Sequence, residues 1–143
     1  MRPGGKITLI GVCVIDILGR PIEALPTGQG SSPLEEIKAT VAGTAGGTSI
    51  DLSRLGADVS VVGAIGKDLL GDLMEESLKR EGVETHLTRK DGVQTSATIL
   101  PIHPDGSRPA WHVPAANREL NPADVPSEVL EDRDVVHYAG LTA

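Results

Sequence analysis

The chain has 143 residues, 39% of them hydrophobic and 23% charged, with a formal net charge of −7. That balance excludes a disordered or fibrous chain, and its acidity argues against a nucleic-acid partner, whose phosphates call for a basic surface. Trp111 and Tyr138 are the only aromatic residues, so the core must come from Val, Leu, Ile and Ala, and base stacking has little to work with.

The length suits one domain, which would bury roughly 68–70% of its extended surface. A single cysteine, Cys13, lies in an apolar run. It allows no internal disulfide and fits a reducing compartment as a buried small hydrophobe. No apolar run approaches the length of a membrane span and no leader-like cleavage pattern opens the chain. The expectation is a cytoplasmic protein with neither a membrane nor a nucleic-acid partner.

Ile7 to Ile15 is a near-continuous apolar run, the mark of a strand buried on both faces of a parallel sheet, and it ends at Asp16. A carboxylate at the carboxyl end of a central strand stands where open α/β sheets bind ligands. Taken alone, Asp16 reads rather as a strand-end cap or turn former. Arg20 to Leu25 could form a short strand, Pro26 to Pro33 is a loop, and Leu34 to Val41 mixes charge and apolar residues as a one-sided strand would, although Leu34 to Ile37 could also be helical.

A glycine cluster comes next, Ala42-Gly43-Thr44-Ala45-Gly46-Gly47. Glycine permits positive φ and close approach to the main chain, and glycines opening a helix leave free N–H groups for a ligand. Thr48 or Ser49 can cap a short helix through Leu55 that Gly56 stops. Val59 to Ile65 is the next buried strand. Leu69 to Glu81 is a helix with Leu69, Leu70, Leu73, Met74 and Leu78 on one face and Gly82 at its C-cap. This alternation predicts a parallel α/β sheet with right-handed crossovers.

Val93 to Ile102 and Arg108 to Val113 flank the turn Pro104-Asp105-Gly106-Ser107 and predict an antiparallel hairpin projecting as a lid. His103 and His112 fall within it and read as exposed lid residues. Asn117 comes immediately after it. Asn121-Pro122 should cap a helix through about Leu130, and Asp134 to Tyr138 begins another strand. The chain stops one turn later, at Ala143, an odd place for a domain to end. No Gly-Lys-Ser/Thr phosphate loop, His-Glu-x-x-His or cysteine pair is present, so no metal site is indicated.

Several motifs taken together resemble the N-terminal half of the ribokinase-like, PfkB-type carbohydrate kinases. Ala42-Gly43-Thr44-Ala45-Gly46, Ser49, Gly56 and Gly66 match that family's N-terminal signature. Gly63-Ala64-Ile65-Gly66-Lys67-Asp68-Leu69-Leu70-Gly71 is similar to its Gly-x-x-Gly-x-Asp-x-x-Gly, and Gln94-Thr95-Ser96-Ala97, Asp105-Gly106 and Ala116-Asn117 appear in the family's order. Asp16 takes the place of the family's sugar-binding aspartate. Two departures stand out. Gly47 replaces the signature Asn that helps hold a substrate hydroxyl, and Val14 replaces a residue that is polar in many ribose-specific members.

The resemblance implies a three-layer αβα sandwich with a mainly parallel sheet and a small β lid, incomplete here. Residues 1–143 would be the N-terminal part of one domain, with lid segments at about 17–41 and 92–114. It implies an ATP- and magnesium-dependent kinase that moves the γ-phosphate to a hydroxyl of a sugar or nucleoside. Asp16, Gly43, Gly47, Thr95 and Asn117 would bind the substrate, and a homodimer could form through the lid. The family's catalytic base and anion hole belong to a second half with a Gly-x-Gly-Asp-like motif, which this sequence lacks. This span alone is then expected to transfer nothing. The competing expectation is a non-catalytic sugar-binding or assembly module arising from a natural truncation.

Overall fold

A computed structural model describes residues 4–140. Eight strands and two α-helices run in the order β1 (Lys6–Gly11), β2 (Val14–Arg20), β3 (Glu36–Ala42), α1 (Gly46–Arg54), β4 (Asp58–Gly66), α2 (Leu69–Arg80), β5 (Glu84–Lys90), β6 (Ala97–Pro101), β7 (Trp111–Val113) and β8 (Val135–Ala139). They form two four-stranded sheets. The first is parallel throughout, in the order β5-β4-β1-β8. The second, in the order β3-β2-β6-β7, pairs β2 with β6 in parallel and is otherwise antiparallel.

Residues alternate across a strand, and the core obeys that alternation. Leu9, Val59, Val61 and Ile65 turn to the face where Met74 and Leu78 of α2 and Ala45 before α1 close a fully buried cluster. The opposite face carries Thr8, whose hydroxyl donates to the Val129 carbonyl at 2.6 Å. Among the described residues that second face is covered by 3-10 turns rather than α-helix. Val135, Val136 and Tyr138 of edge strand β8 remain exposed.

The first apolar run is not one strand. It breaks at Val12-Cys13, so Lys6–Gly11 stays in the parallel sheet while Val14–Arg20 enters the second sheet. Gly11 at φ +150 makes the departure, and Val12 N then donates to the Ala139 carbonyl at 3.0 Å. Asp16 is therefore the third residue of a lid-sheet strand and does not end a strand of the main sheet. Arg20–Leu25 forms no strand of its own, since β2 ends at Arg20 before Pro21.

Three further expectations shift. Helix α1 begins earlier, with Ala45 as N-cap and no side-chain cap, and Ser49 lies inside it with its hydroxyl donating to the Gly46 carbonyl. Asn121 does cap, accepting from Ala123 N while Asp124 accepts from Asn121 N. In place of one helix it opens two 3-10 turns, Pro122–Asp124 and Ser127–Val129, because Pro126 holds Val125 in extended backbone. On α2, Met74 and Leu78 are buried as expected but Leu69 is 84% exposed, so the buried face is narrower than the apolar spacing suggests. Strand β5 has no counterpart among the predicted elements, because its sequence, Glu84-Thr85-His86-Leu87-Thr88-Arg89-Lys90, shows no apolar run.

The hairpin appears as β6 and β7, with Ala97 opposite Val113 and Ile99 opposite Trp111. His112 is exposed, whereas His103 is half-buried, its Nδ1 at 2.7 Å from the Ile22 carbonyl. No described helix is long and apolar enough to cross a membrane.

Candidate functional site

Two of the predicted site residues, Gly43 and Asn117, meet at the break between the sheets. Gly43, at φ +88, lies so close to the Val12-Cys13 turn that a Cβ there would meet the Val12 carbonyl oxygen at 2.5 Å. Ala45 N and Gly46 N both donate to that same carbonyl, at 2.9 and 3.2 Å. The cluster is thus first a packing device: glycines let the start of α1 dock on the turn that feeds β2. Gly47 differs. A Cβ there would meet only the Ala42 backbone, at 3.6 Å, so the position is open.

Gly43 and Gly47 line a cleft of about 760 Å³ that runs along β3 and α1, past Thr48 and Asp51 to Arg54. Arg54 is fixed at the far end by a two-pronged ion pair to Glu81. Asp16 is one strand inward from the cleft wall, directly opposite Thr40 and on the same face of the sheet as Thr40 and Ala42. It is half-buried and its neighbour across β6 is Thr98.

Asn117 reaches the turn from the other side. Its side-chain oxygen accepts from Cys13 N at 3.2 Å and its amide donates to Cys13 O at 3.0 Å, imitating one rung of a strand pair. Its own N–H donates to the Ser96 hydroxyl, which in turn donates to the Pro114 carbonyl. Both hydrogen-bonding ends of the amide are thus engaged within the protein. Cys13 is completely buried, and that burial pushes its thiol up to about 12, against a smaller opposing hydrogen bond from the Gly46 backbone. The thiol is inert packing, as its sequence context implied.

Thr95 is fully buried and belongs to a clasp that the Gly63-to-Gly71 motif builds. Its hydroxyl donates to Asp68 Oδ1 at 2.6 Å and accepts from Gly66 N at 3.0 Å, and its N–H donates to Asp68 Oδ2 at 2.8 Å. Asp68 also caps α2 by accepting from Gly71 N at 2.9 Å. Burial alone would raise the Asp68 carboxyl, but the Thr95 and Gly71 donors and the Arg89 charge outweigh it and hold the group below its ordinary range. A Cβ on Gly66 would sit 2.5 Å from the Val93 carbonyl, and one on Gly71 would sit 2.6 Å from the Gly66 carbonyl. This glycine-rich turn is committed to holding β6 against β4 and offers no free amide of Gly66 to a phosphate.

Gly43 and Asn117 thus meet at the Val12-Cys13 turn, Gly47 lines the cleft beyond Gly43, Thr95 is held in the clasp, and Asp16 stands opposite Thr40 in the second sheet, outside the lining of that cleft. Sequence reasoning named Ser96 only as part of the Gln94–Ala97 motif, without a role, and missed the Cys13 backbone, whose only signal was adjacency to the apolar run. Among the described residues no group of three or more His, Cys, Asp or Glu side chains is placed to hold a metal ion.

Residues 5–143 match the model of the pfkB family carbohydrate kinases. The chain belongs to that family. A relative described as probable fructokinase-4 of Arabidopsis thaliana is 29% identical over 127 residues, which cover 85% of this chain and 39% of that protein. The crystal structure of a fructokinase from Xylella fastidiosa superposes with a TM-score of 0.78 at 23% identity, covering 94% of this chain and 42% of that one. The same enzyme with bound ATP gives a TM-score of 0.75 at 23% identity, covering 94% and 41%. These neighbours share the ribokinase-like α/β fold with its small β lid, and the chain spans less than half the length of the proteins it matches.

Proposed function

We propose that this pfkB-family chain forms the substrate pocket and lid of an ATP-dependent sugar kinase, which transfers the γ-phosphate to a hydroxyl of a sugar or nucleoside. The observation that carries this reading is the position of Asp16, on the same sheet face as Thr40, which lines the glycine-bearing cleft. An ionised carboxylate there can accept hydrogen bonds from two neighbouring sugar hydroxyls and fix the ring. Gly43 and Gly47 leave room for the ring against the backbone, and Asn117 holds the turn that sets the height of Asp16. Thr95 acts one layer back by anchoring the start of β6. The segments 17–41 and 92–114 are the lid, which closes over the sugar and keeps water from the phosphate.

The family's base, which takes the proton from the attacking hydroxyl, and its anion hole have no counterpart among these residues. ATP use is supported by the ATP-bound neighbour. Magnesium would neutralise phosphate charge when bound, with the nucleotide's own phosphate oxygens among its ligands. Fructose is the first substrate to test, given the names of the relatives. The cytoplasm is the proposed location. The lid face opposite Asp16 exposes Ile37, Ile99 and Trp111, which supports a homodimer formed through the lid.

The test is ATP-dependent phosphorylation of fructose, ribose and nucleosides by the protein expressed from its complete coding sequence. Asp16→Asn should lower kcat/KM by about 30- to 1,000-fold, the loss of a charged hydrogen bond worth roughly 2–4 kcal/mol in the transition state. An unchanged kcat/KM removes Asp16 from the site. The exposed Val135, Val136 and Tyr138 of β8 favour a second reading, a non-catalytic module that needs a partner chain to cover this edge. Sugar binding by calorimetry without any phosphorylation would favour it.

A further inference from the structure

The cleft along α1 is longer than a single sugar ring needs. Its volume is about 760 Å³, within the roughly 300–1,000 Å³ of pockets that take drug-sized molecules. Gly47, Asp51 and Arg54 recur at the spacing of one helix face, with Thr48 beside them, and all of them line the cleft. From Gly47 to Arg54 is two helical turns, about 10 Å along the axis. The opposite wall is four consecutive residues of β3, Ala39 to Ala42. Neighbouring side chains of a strand face opposite ways, so this wall is the backbone edge of β3, the outer strand of its sheet. Ser77 and Glu81 of α2 close the far end.

The chemistry of that far end selects its ligand. The Asp51 carboxylate and the Thr48 and Ser77 hydroxyls have no hydrogen-bond partner among the described residues. Glu81 takes Nε and Nη2 of Arg54 at 2.8 and 2.5 Å, which fixes the guanidinium and leaves both N–H groups of Nη1 unengaged. Asp51, Arg54 and Glu81 are the charged residues of the lining, and two carboxylates against one guanidinium leave it net negative. A phosphate is therefore repelled. Trp111 and Tyr138, the only aromatic residues, line no part of the cleft, so a nucleobase finds no ring to stack on. A neutral ring carrying several hydroxyls satisfies every group, donating to Asp51 and accepting from Arg54. We propose that the α1–α2 end of the cleft binds a second sugar ring, so that the acceptor is a disaccharide whose reacting ring lies beside Gly43 and Gly47. This rests on the reading of that nearer end as the sugar pocket. Gly47 leaves the passage between the two ends open, since even a Cβ there would meet nothing nearer than 3.6 Å.

The experiment uses the protein expressed from its complete coding sequence, with D-fructose, the fructose disaccharides sucrose, turanose and inulobiose, fructose 6-phosphate and uridine as probes. Kd is measured by calorimetry, and kcat and KM by ATP-dependent phosphorylation. At least one disaccharide should bind about tenfold more tightly than D-fructose, the worth of one added hydrogen bond to a charged group, and more tightly than fructose 6-phosphate or uridine. Asp51→Ala should remove that advantage while D-fructose keeps its Kd and kcat/KM within about twofold. Asp51 holds no partner in the fold, so the variant should melt with wild type, and a thermal scan checks that it does. If D-fructose binds and Asp16→Asn weakens it, but no disaccharide binds better than D-fructose, the second-ring proposal alone is overturned. The same holds if fructose 6-phosphate or uridine binds most tightly, or if Asp51→Ala treats both sugars alike. If no sugar binds the wild type, or Asp16→Asn binds them all like wild type, the sugar-pocket reading falls and takes this proposal with it.

Discussion

Asn117→Ala should destabilise the protein by about 3 kcal/mol, from the loss of two buried backbone hydrogen bonds. The side chain is 5% exposed and satisfies both the N–H and the carbonyl of Cys13, at 3.2 and 3.0 Å. Removing it leaves two buried backbone groups unpaired, each worth roughly 1–3 kcal/mol. The lower half of the summed range is expected because a cavity of about 460 Å³, lined in part by Asn117, adjoins the residue and can admit a replacing water. Urea unfolding monitored by far-UV circular dichroism should show a midpoint lower by roughly 1.5 M at a slope near 2 kcal/mol/M. Asn117→Asp sharpens the test. One carboxylate oxygen still accepts from Cys13 N, but the other faces the Cys13 carbonyl, acceptor against acceptor. Protonation restores the donor, so the folded state raises this carboxyl above its unfolded value. The variant should approach wild type at low pH and lose stability as pH rises through the raised value. A midpoint for Asn117→Ala within about 0.3 M of wild type, roughly 0.6 kcal/mol at that slope, would refute the argument. So would a pH-independent deficit for Asn117→Asp.

The two kinds of glycine should separate cleanly. Gly66→Ala forces a methyl to within 2.5 Å of the Val93 carbonyl and should cost about 2–3 kcal/mol, whereas Gly47→Ala, with nothing nearer than 3.6 Å, should be neutral or stabilising by up to about 1 kcal/mol in thermal melts. Asp68 titrates below its ordinary range when folded, so it contributes stability above the unfolded carboxyl value near 3.9, lost as pH falls through the lower folded value. Asp68→Asn should flatten the acid-unfolding curve in that window and lower stability at neutral pH. Lys90 Nζ lies 2.8 and 2.7 Å from the two oxygens of Asp124, whose side chain is 8% exposed. Lys90→Met strands that carboxylate and should cost about 3 kcal/mol by denaturant titration, and Lys90→Met with Asp124→Leu should recover much of it.

Local features were legible in the sequence. The β4 run Val59 to Ile65, the α2 stop at Gly82, the Pro104 to Ser107 turn and the Asn121 cap carry their own chemistry, and each recurs in the structure. The ordered glycine motifs likewise marked the family. Tertiary structure decided the rest. Periodicity could not divide Ile7 to Ile15, because both halves are apolar and the division depends on Ala139 and Asn117, more than 100 residues away. Strand β5 has no apolar run, and its place is set by pairing with β4 along seven positions. Asp16 reads from the sequence as the end of a main-sheet strand, whereas it lies in the second sheet. Only the register of β2 with β3 and β6 set it beside Thr40, Thr98 and His112, because a strand's partners are chosen by burial of its other face and no single strand encodes that choice.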